Sequence, residues 1–229
     1  KFMFKLLPIL SLLLLWSCTT DSPFDIHTLP KDVHTLSSSE GQEMFERIDQ
    51  VLYTNTKKFW QPQRKNFCGV CSLTIAGNTL AENNKIDQDN FFDNKVAEEV
   101  IAPATVSKMG MTLRELHEAA KRRTPQFTSQ KFYAHTAGLD LFRQELKNLN
   151  DNSQYIVNFS RQSLAGDGMR SGHFSLVTAY DVESRSVLIL EVQGSRESFW
   201  VNDKDLYYAM LAEDPVSKIS RGWLRLTKE

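Results

Sequence analysis

A chain of 229 residues is long enough for one core of ordinary size, and nothing in it suggests a second. With 41% hydrophobic and 24% charged residues, 10 Gly and 7 Pro, it is neither a disordered nor a fibrous chain. A formal net charge of -1 without a basic block argues against nucleic acid or an anionic membrane surface as an electrostatic partner.

Lys1 and Lys5 flank the start of an apolar run, Leu6 to Trp16, interrupted by Pro8 and Ser11. The run is shorter than the ~20 residues that cross a bilayer and has the make-up of a secretory signal. Leu15-Trp16-Ser17-Cys18 resembles a bacterial lipobox, in which the cysteine is acylated and becomes the mature N-terminus. Residues 1–18 are therefore expected to be a lipoprotein signal peptide with Cys18 as the lipidation site; a cleaved signal without lipid is the plainer alternative. Residues 19–37 hold Pro23, Pro30, several Ser and Thr and no apolar period, and read as a tether. The expected product is exported and lipid-anchored to a bacterial membrane on its periplasmic side, with its folded domain over 38–229.

Ser38 or Ser39 offers an N-cap to a helix over about 40–53, with Met44, Phe45, Ile48, Val51 and Leu52 at helical spacing. Val70 to Leu80 reads as a mostly apolar helix that begins at or beside Cys68. Thr112-Leu113-Arg114-Glu115 has the spacing of a capping box, and Leu139, Phe142, Leu146 and Leu149 mark a further helical stripe. Then the character changes. Gln154 to Ser160, His173 to Tyr180 and Val187 to Val192 read as strands, followed by a strand at 198–202, a helix at 204–211 and a strand at 223–226. Helices first and an antiparallel sheet after is α+β order.

The chemistry centres on Cys68. A thiol near pKa 8.5 is a poor nucleophile at neutral pH, and a helix N-terminus lowers that value through its free N–H groups and positive dipole end. Of five histidines, His27 and His34 fall in the tether, His117 on a helix among charged residues and His135 in a loop. His173 opens a strand after Ser171-Gly172 and is the candidate base. If the hairpin through Asp181 to Ser186 centres near residue 182, paired residue numbers sum to about 364 and His173 faces Glu191. A carboxylate there would fix the imidazole tautomer and support its charge. A strand-end Glu turning to water is the plainer alternative.

Asn66-Phe67-Cys68-Gly69-Val70-Cys71-Ser72, Gly110-Met111-Thr112-Leu113, Ser171-Gly172-His173-Phe174-Ser175 and Leu188-Ile189-Leu190-Glu191-Val192 resemble the phytochelatin synthase family in that order. Phe199-Trp200-Val201, Ala209-Met210 and Ser220-Arg221-Gly222 extend the resemblance, which spans about 58–227. It implies a papain-like cysteine peptidase fold and glutathione γ-glutamylcysteinyltransferase-like chemistry, tied to metal detoxification. The thiolate attacks the bond before glycine, and the γ-glutamylcysteinyl thioester passes to water or to another glutathione. By motif the nucleophile carries to Cys68, the base to His173 and the acidic member to Glu191. The oxyanion glutamine carries to Gln63 or Gln61, each one residue out of register. Asn158 and Arg161 match an Asn-aromatic-x-Arg segment and are expected, with Arg221, to bind substrate; Arg221 matches an arginine able to hold the substrate's glutamyl carboxylate. No resident cofactor or protein metal site is implied; soft metal ions would act as their glutathione thiolates.

The family has aspartate where this chain has Glu191, and a Lys-Tyr-Pro-Pro segment where this chain has Ser195-Arg196-Glu197-Ser198. Residues 165–170 form an apparent insertion, and the cysteine-rich half of plant members has no counterpart in the sequence. Hydrolysis is therefore expected over transpeptidation. A rival reading is an exported, membrane-tethered thiol–disulfide oxidoreductase using Cys68 and Cys71, although Phe67, not tryptophan, precedes the motif. Another is a non-enzymatic lipoprotein with Cys68 as a buried small hydrophobe. Cys71 is itself a candidate redox partner of Cys68 or a small apolar residue on the buried helix face.

Overall fold

The computed structural model describes residues 33–165 and 171–228. The expected leader, Cys18, most of the tether and most of the apparent insertion lie outside these residues. No helix among the described residues is long and apolar enough to cross a membrane.

Seven strands form one antiparallel sheet in the order β1-β6-β5-β4-β3-β7-β2. They are β1 (Val33–Thr35), β2 (Thr128–Tyr133), β3 (Ser153–Ser160), β4 (Gly172–Asp181), β5 (Ser186–Leu190), β6 (Phe199–Asn202) and β7 (Gly222–Thr227). Helices α1 (Ser39–Arg47) to α5 (Leu113–Arg123) mostly precede the sheet: α2 is Val51–Lys57, α3 Cys68–Ala81 and α4 Pro103–Met109. Then come α6 (Ala134–Ala137), α7 (Leu139–Lys147), α8 (Arg161–Ala165) and α9 (Asp203–Leu211). The α+β expectation holds.

Both faces of the sheet are covered. Ile156, Phe174, Leu176, Leu190, Leu224 and Leu226 pack with α3 and α5, while Tyr155, Val157, Val177, Ile189 and Trp223 pack with α7 and α9. A sheet buried on both sides reads as continuous apolar runs, which is why β3 and β5 show no alternation. Helix α3 lies innermost, buried from Cys68 to Leu80, and its sequence is accordingly apolar nearly all round.

Four expectations are corrected. The single helix over 40–53 is two. Gln50 Nε2 donates to the Phe45 carbonyl at 2.9 Å, and Asp49 Oδ1 accepts the Val51 N–H at 2.9 Å, so local polar bonds end α1 and start α2. The apolar period hides the break because Met44, Phe45, Ile48 and Tyr53 all pack on one cluster with Leu188 and Trp200. The tether ends early, since Val33–Thr35 pairs with β6 and Leu36 N–H donates to the Ser198 carbonyl at 2.8 Å. His135 lies in α6, not a loop, with Nδ1 at 2.7 Å from Ser220 Oγ.

The fourth concerns the β4–β5 hairpin. Its loop is 182–185, so partners near the turn are Asp181↔Ser186 and Tyr180↔Val187, and a bulge between Val177 and Ala179 then shifts the pairing to Val177↔Ile189 and Leu176↔Leu190. The later centre alone would place Leu176 opposite Glu191, and the extra residue brings that position back to Ser175, two residues from His173. Elements β2, α4 and α8 were not expected from the sequence at all.

Candidate active site

Cys68 is the first residue of α3 and lines a cleft of about 180 Å³. Its approach to β4 depends on the next residue. A Cβ at Gly69 would lie 3.3 Å from the Phe174 ring and 3.5 Å from Leu116, so a larger side chain would hold the helix start off the strand that carries His173. His173 is 1% exposed and stands opposite Phe159 in β3, ring to ring at 5.5 Å and near perpendicular.

Glu191 reaches His173 along the diagonal. Its Oε1 is 2.6 Å from His173 Nε2, 3.4 Å from Ser175 Oγ and 2.7 Å from the Gln193 N–H that donates to it. The strand end is held from behind, where Trp60 Nε1 donates to the Glu191 carbonyl at 2.8 Å and Gln63 N–H to the Val192 carbonyl at 2.8 Å. The structure thus brings Cys68, His173 and Glu191 together, by a diagonal contact where direct opposition was expected.

Arg161 is 7% exposed, and its Nη2 donates to His173 Nδ1 at 2.8 Å and to Gln193 Oε1 at 2.7 Å. Expected at the substrate, it instead lies against the base and is not among the residues lining the cleft. Asn158 and Arg221 do line it. Arg221 is 1% exposed and its Nη1 donates to Asp214 Oδ2 at 2.9 Å, while Asp214 Oδ1 accepts the N–H groups of Val216 and Ser217. Gly172 leaves room for this guanidinium, since a Cβ there would stand 3.0 Å from its central carbon. Arg221 Nε and Asn158 Oδ1 are buried without a hydrogen-bond partner among the described residues.

The two candidate glutamines differ. Gln61 spends its amide, donating to Thr74 Oγ1 at 3.2 Å and accepting from Gln88 Nε2 at 3.2 Å. Gln63 Oε1 is buried without a hydrogen-bond partner among the described residues. Cys71 is wholly buried, and its Sγ donates to the Gln61 carbonyl at 3.3 Å.

The electrostatics are those of a charge-separated pair. Burial alone would push the Cys68 thiol up, but the His173 hydrogen bond and charge, the Phe174 N–H and the Arg161 charge outweigh it and hold the thiol below its ordinary value. Burial and Arg161 oppose a charged His173; Glu191 and Cys68 prevail and raise the imidazole. Burial also penalises the Glu191 carboxylate, yet His173, Arg161 and the Gln193 N–H bring it down to about 2. Such a site can form a thiolate, carry a proton on the adjacent imidazole and keep a carboxylate ionised behind it. Among the described residues no three His, Cys, Asp or Glu side chains gather as metal ligands.

Gln193, Asp214 and Trp60 were not singled out by the sequence for their places here. Trp60 acts through its indole N–H and Gln193 through its N–H and its side-chain oxygen, on partners that only the folded strand end brings within reach. The Asp214-Pro215 turn seven residues before Arg221 was a readable hint.

A sequence model described as phytochelatin synthase matches residues 24–223. A search of curated proteins gives no match. Among solved structures the chain is similar to the peptidase domain of Streptococcus ComA, a bi-functional ABC transporter involved in a quorum-sensing pathway. That likeness is at 16% identity, covering 73% of this chain and 96% of that one, with a TM-score of 0.48.

Proposed function

The chain belongs to the phytochelatin synthase family, and from that premise we propose that it removes glycine from glutathione or a related γ-glutamyl peptide through a thioester on Cys68. The observation that carries this reading is the buried 2.6 Å contact of Glu191 with His173, beside a cysteine that starts a helix.

The thiol proton goes to His173 Nδ1, since Nε2 faces Glu191. The thiolate attacks the carbonyl before glycine, and the oxyanion meets the Cys68 N–H at the helix start and the Gln63 amide, the glutamine whose side chain is not already spent. The imidazolium then protonates the leaving amine. In the second half the imidazole takes a proton from water, which hydrolyses the thioester. Arg221 and Asp214 supply one positive and one negative group in the cleft, and Asn158 Oδ1 is an unspent acceptor. This set fits the carboxylate and ammonium of a γ-glutamyl head.

Water is favoured as acceptor. Ser37 Oγ donates to Glu197 at 2.6 Å and Leu36 N–H to the Ser198 carbonyl, so the N-terminal arm lies along the segment that replaces the family's Lys-Tyr-Pro-Pro. Soft metals would enter as thiolate complexes of the substrate. Export and a lipid anchor at Cys18 are part of the same proposal, checked by labelled palmitate incorporation that Cys18→Ser removes.

The test is mass spectrometry of the protein incubated with glutathione, in which glycine and γ-glutamylcysteine should rise together without longer oligomers. Cys68→Ser and His173→Ala should each lower glycine release by at least about 10³-fold. Full activity in Cys68→Ser would overturn the reading.

A further inference from the structure

Acyl transfer needs one thiol, and this chain has two on the first turn of α3. They differ sharply. Cys68 faces the cleft, with the Phe174 N–H and His173 beside it. Cys71 is 0% exposed, and burial pushes its thiol up, helped by the charges of Cys68 and Glu191. An activated outer thiol at a helix N-terminus, with a buried proton-holding thiol three residues on, is the asymmetry of a Cys-x-x-Cys exchange site.

The geometry allows the two sulfurs to meet. Side chains at i and i+3 of a helix have Cβ atoms about 5–6 Å apart. A disulfide wants about 3.5–4.5 Å, so the turn must tighten by about 1–2 Å. Phe67 at the N-cap makes no side-chain cap bond, so the turn is held by packing and by the Cys71 N–H donating to the Phe67 carbonyl at 2.7 Å, contacts that can shift with it. The bond Cys71 must give up, 3.3 Å to the Gln61 carbonyl, is that of a weak sulfur donor.

We propose that Cys68 and Cys71 give the chain a second activity, thiol–disulfide exchange with small disulfides that enter the cleft, chiefly the oxidised dimer of its own thiol-peptide substrate. The Cys68–Cys71 disulfide left behind keeps acyl transfer off until a thiol reverses it. Cys68 thiolate attacks one sulfur of R–S–S–R. That S–S bond breaks, and the departing RS⁻ takes the proton held by His173. Cys71 loses its proton to the freed imidazole and attacks Cys68 sulfur in the mixed disulfide, expelling the second RS⁻, which is protonated in turn. Two protein thiols are oxidised and one disulfide becomes two thiols. The same thiol peptide in excess runs the steps backward, so the substrate's own redox state sets the active fraction. Loss of the Cys71–Gln61 bond also frees the segment that carries Gln63.

The proposal rests on Cys68 as the nucleophile, as the preceding reading does, but it is read by mass and not by glycine alone. Reduced full-length protein is treated with glutathione disulfide, and intact mass is followed alongside glycine release, before and after dithiothreitol. Wild type should lose two hydrogens without retaining an adduct, and glycine release should fall at least about tenfold and return on reduction. Cys71→Ser should stop at a single glutathione adduct, and Cys71→Ala, which keeps no donor, should do the same if circular dichroism shows it folded. Wild type that retains a stable adduct, or that does not react, overturns the proposal. If that happens while the reduced protein releases glycine normally, this proposal fails and the peptidase reading stands. Clean loss of two hydrogens in a protein that never releases glycine sinks the peptidase reading instead.

Discussion

The His173 ring has two nitrogens and three hydrogen-bonding neighbours outside Cys68: Glu191 at 2.6 Å and Ser175 at 3.1 Å on Nε2, and Arg161 at 2.8 Å on Nδ1. A guanidinium only donates, so in this arrangement Nδ1 holds its lone pair toward Arg161. For His173 to accept the thiol proton there, Arg161 must slacken its hold, and Gln193 Oε1 keeps it nearby. Its charge lowers both the Cys68 thiol and the imidazole, so removing it raises both. Arg161→Gln should therefore move both limbs of the pH–rate profile for glycine release to higher pH with little change in KM. A raised KM on an unmoved profile would assign the guanidinium to substrate instead. Glu191→Gln keeps size but removes the charge behind the imidazolium, and turnover should drop on the order of 10²- to 10⁴-fold in a protein that still folds but melts lower near neutral pH, where the carboxylate's contribution is complete. Wild-type turnover in that variant would mean the third member lies elsewhere.

At the scale of elements, the site exists because α3 is pressed onto β4 at one glycine. The helix has no side-chain cap at Phe67, and its start is fixed by packing of Cys68, Gly69 and Val70 against Phe174 and Leu116. By contrast α5 carries its own start signal, with Thr112 Oγ1 accepting the Glu115 N–H at 3.2 Å and Glu115 Oε2 accepting the Thr112 N–H at 2.7 Å. Gly69→Val should cost about 1–3 kcal/mol by overpacking. It should lower glycine release far more than that loss implies, because the displaced part is the nucleophile. Equal stability and activity losses, measured by urea unfolding and turnover on the same sample, would show that the contact matters for packing alone. A second close approach lies at Gly222 in β7, where a Cβ would collide with the Phe132 carbonyl at 1.9 Å and push Arg221 from its place beside Asp214.

Across the whole molecule the buried carboxylates give stability a definite pH dependence. Glu191 lies at about 2, and Asp181 and Asp214 are also held below the usual range: burial opposes each, but hydrogen bonds to Arg47 and Ser184 prevail at Asp181, and bonds from Ser217 N–H and Arg221 at Asp214. In the unfolded chain such groups titrate near their ordinary values, about 3.9 for Asp and 4.3 for Glu. Their contribution is thus complete above those values and is lost as pH falls through the folded ones. His173, raised in the fold, acts in the other sense: its contribution is complete below about 6.5 and is lost as pH rises through the folded value. The melting temperature should fall steeply between about pH 4 and 2, and the fall should be shallower in Glu191→Gln. Calorimetry across that window decides it; parallel curves would mean that the Glu191 shift does not contribute.

What the sequence by itself determined was whatever local chemistry and period encode. The Thr112–Glu115 box, the helix starting at Cys68 and the apolar strands β3 to β5 were all legible, because each depends on residues within a few positions of one another. Cys68, His173 and Glu191 could be singled out by residue type and by resemblance, before any geometry. Tertiary structure decided the rest. The bulge at Val177/Ala179 moved the β4–β5 pairing, so that Glu191 meets His173 on the diagonal, and a bulge leaves no mark in an apolar run. The break between α1 and α2 stayed hidden because both pieces bury the same stripe against Leu188 and Trp200. Arg161 reads as a substrate ligand from its motif, but side chains that meet across 12 positions of sequence, as Arg161 and His173 do, are brought together by strand pairing alone. Which glutamine keeps a free amide was likewise a matter of what folds around it, since Thr74 and Gln88 claim Gln61 only once α3 and the segment after it are in place.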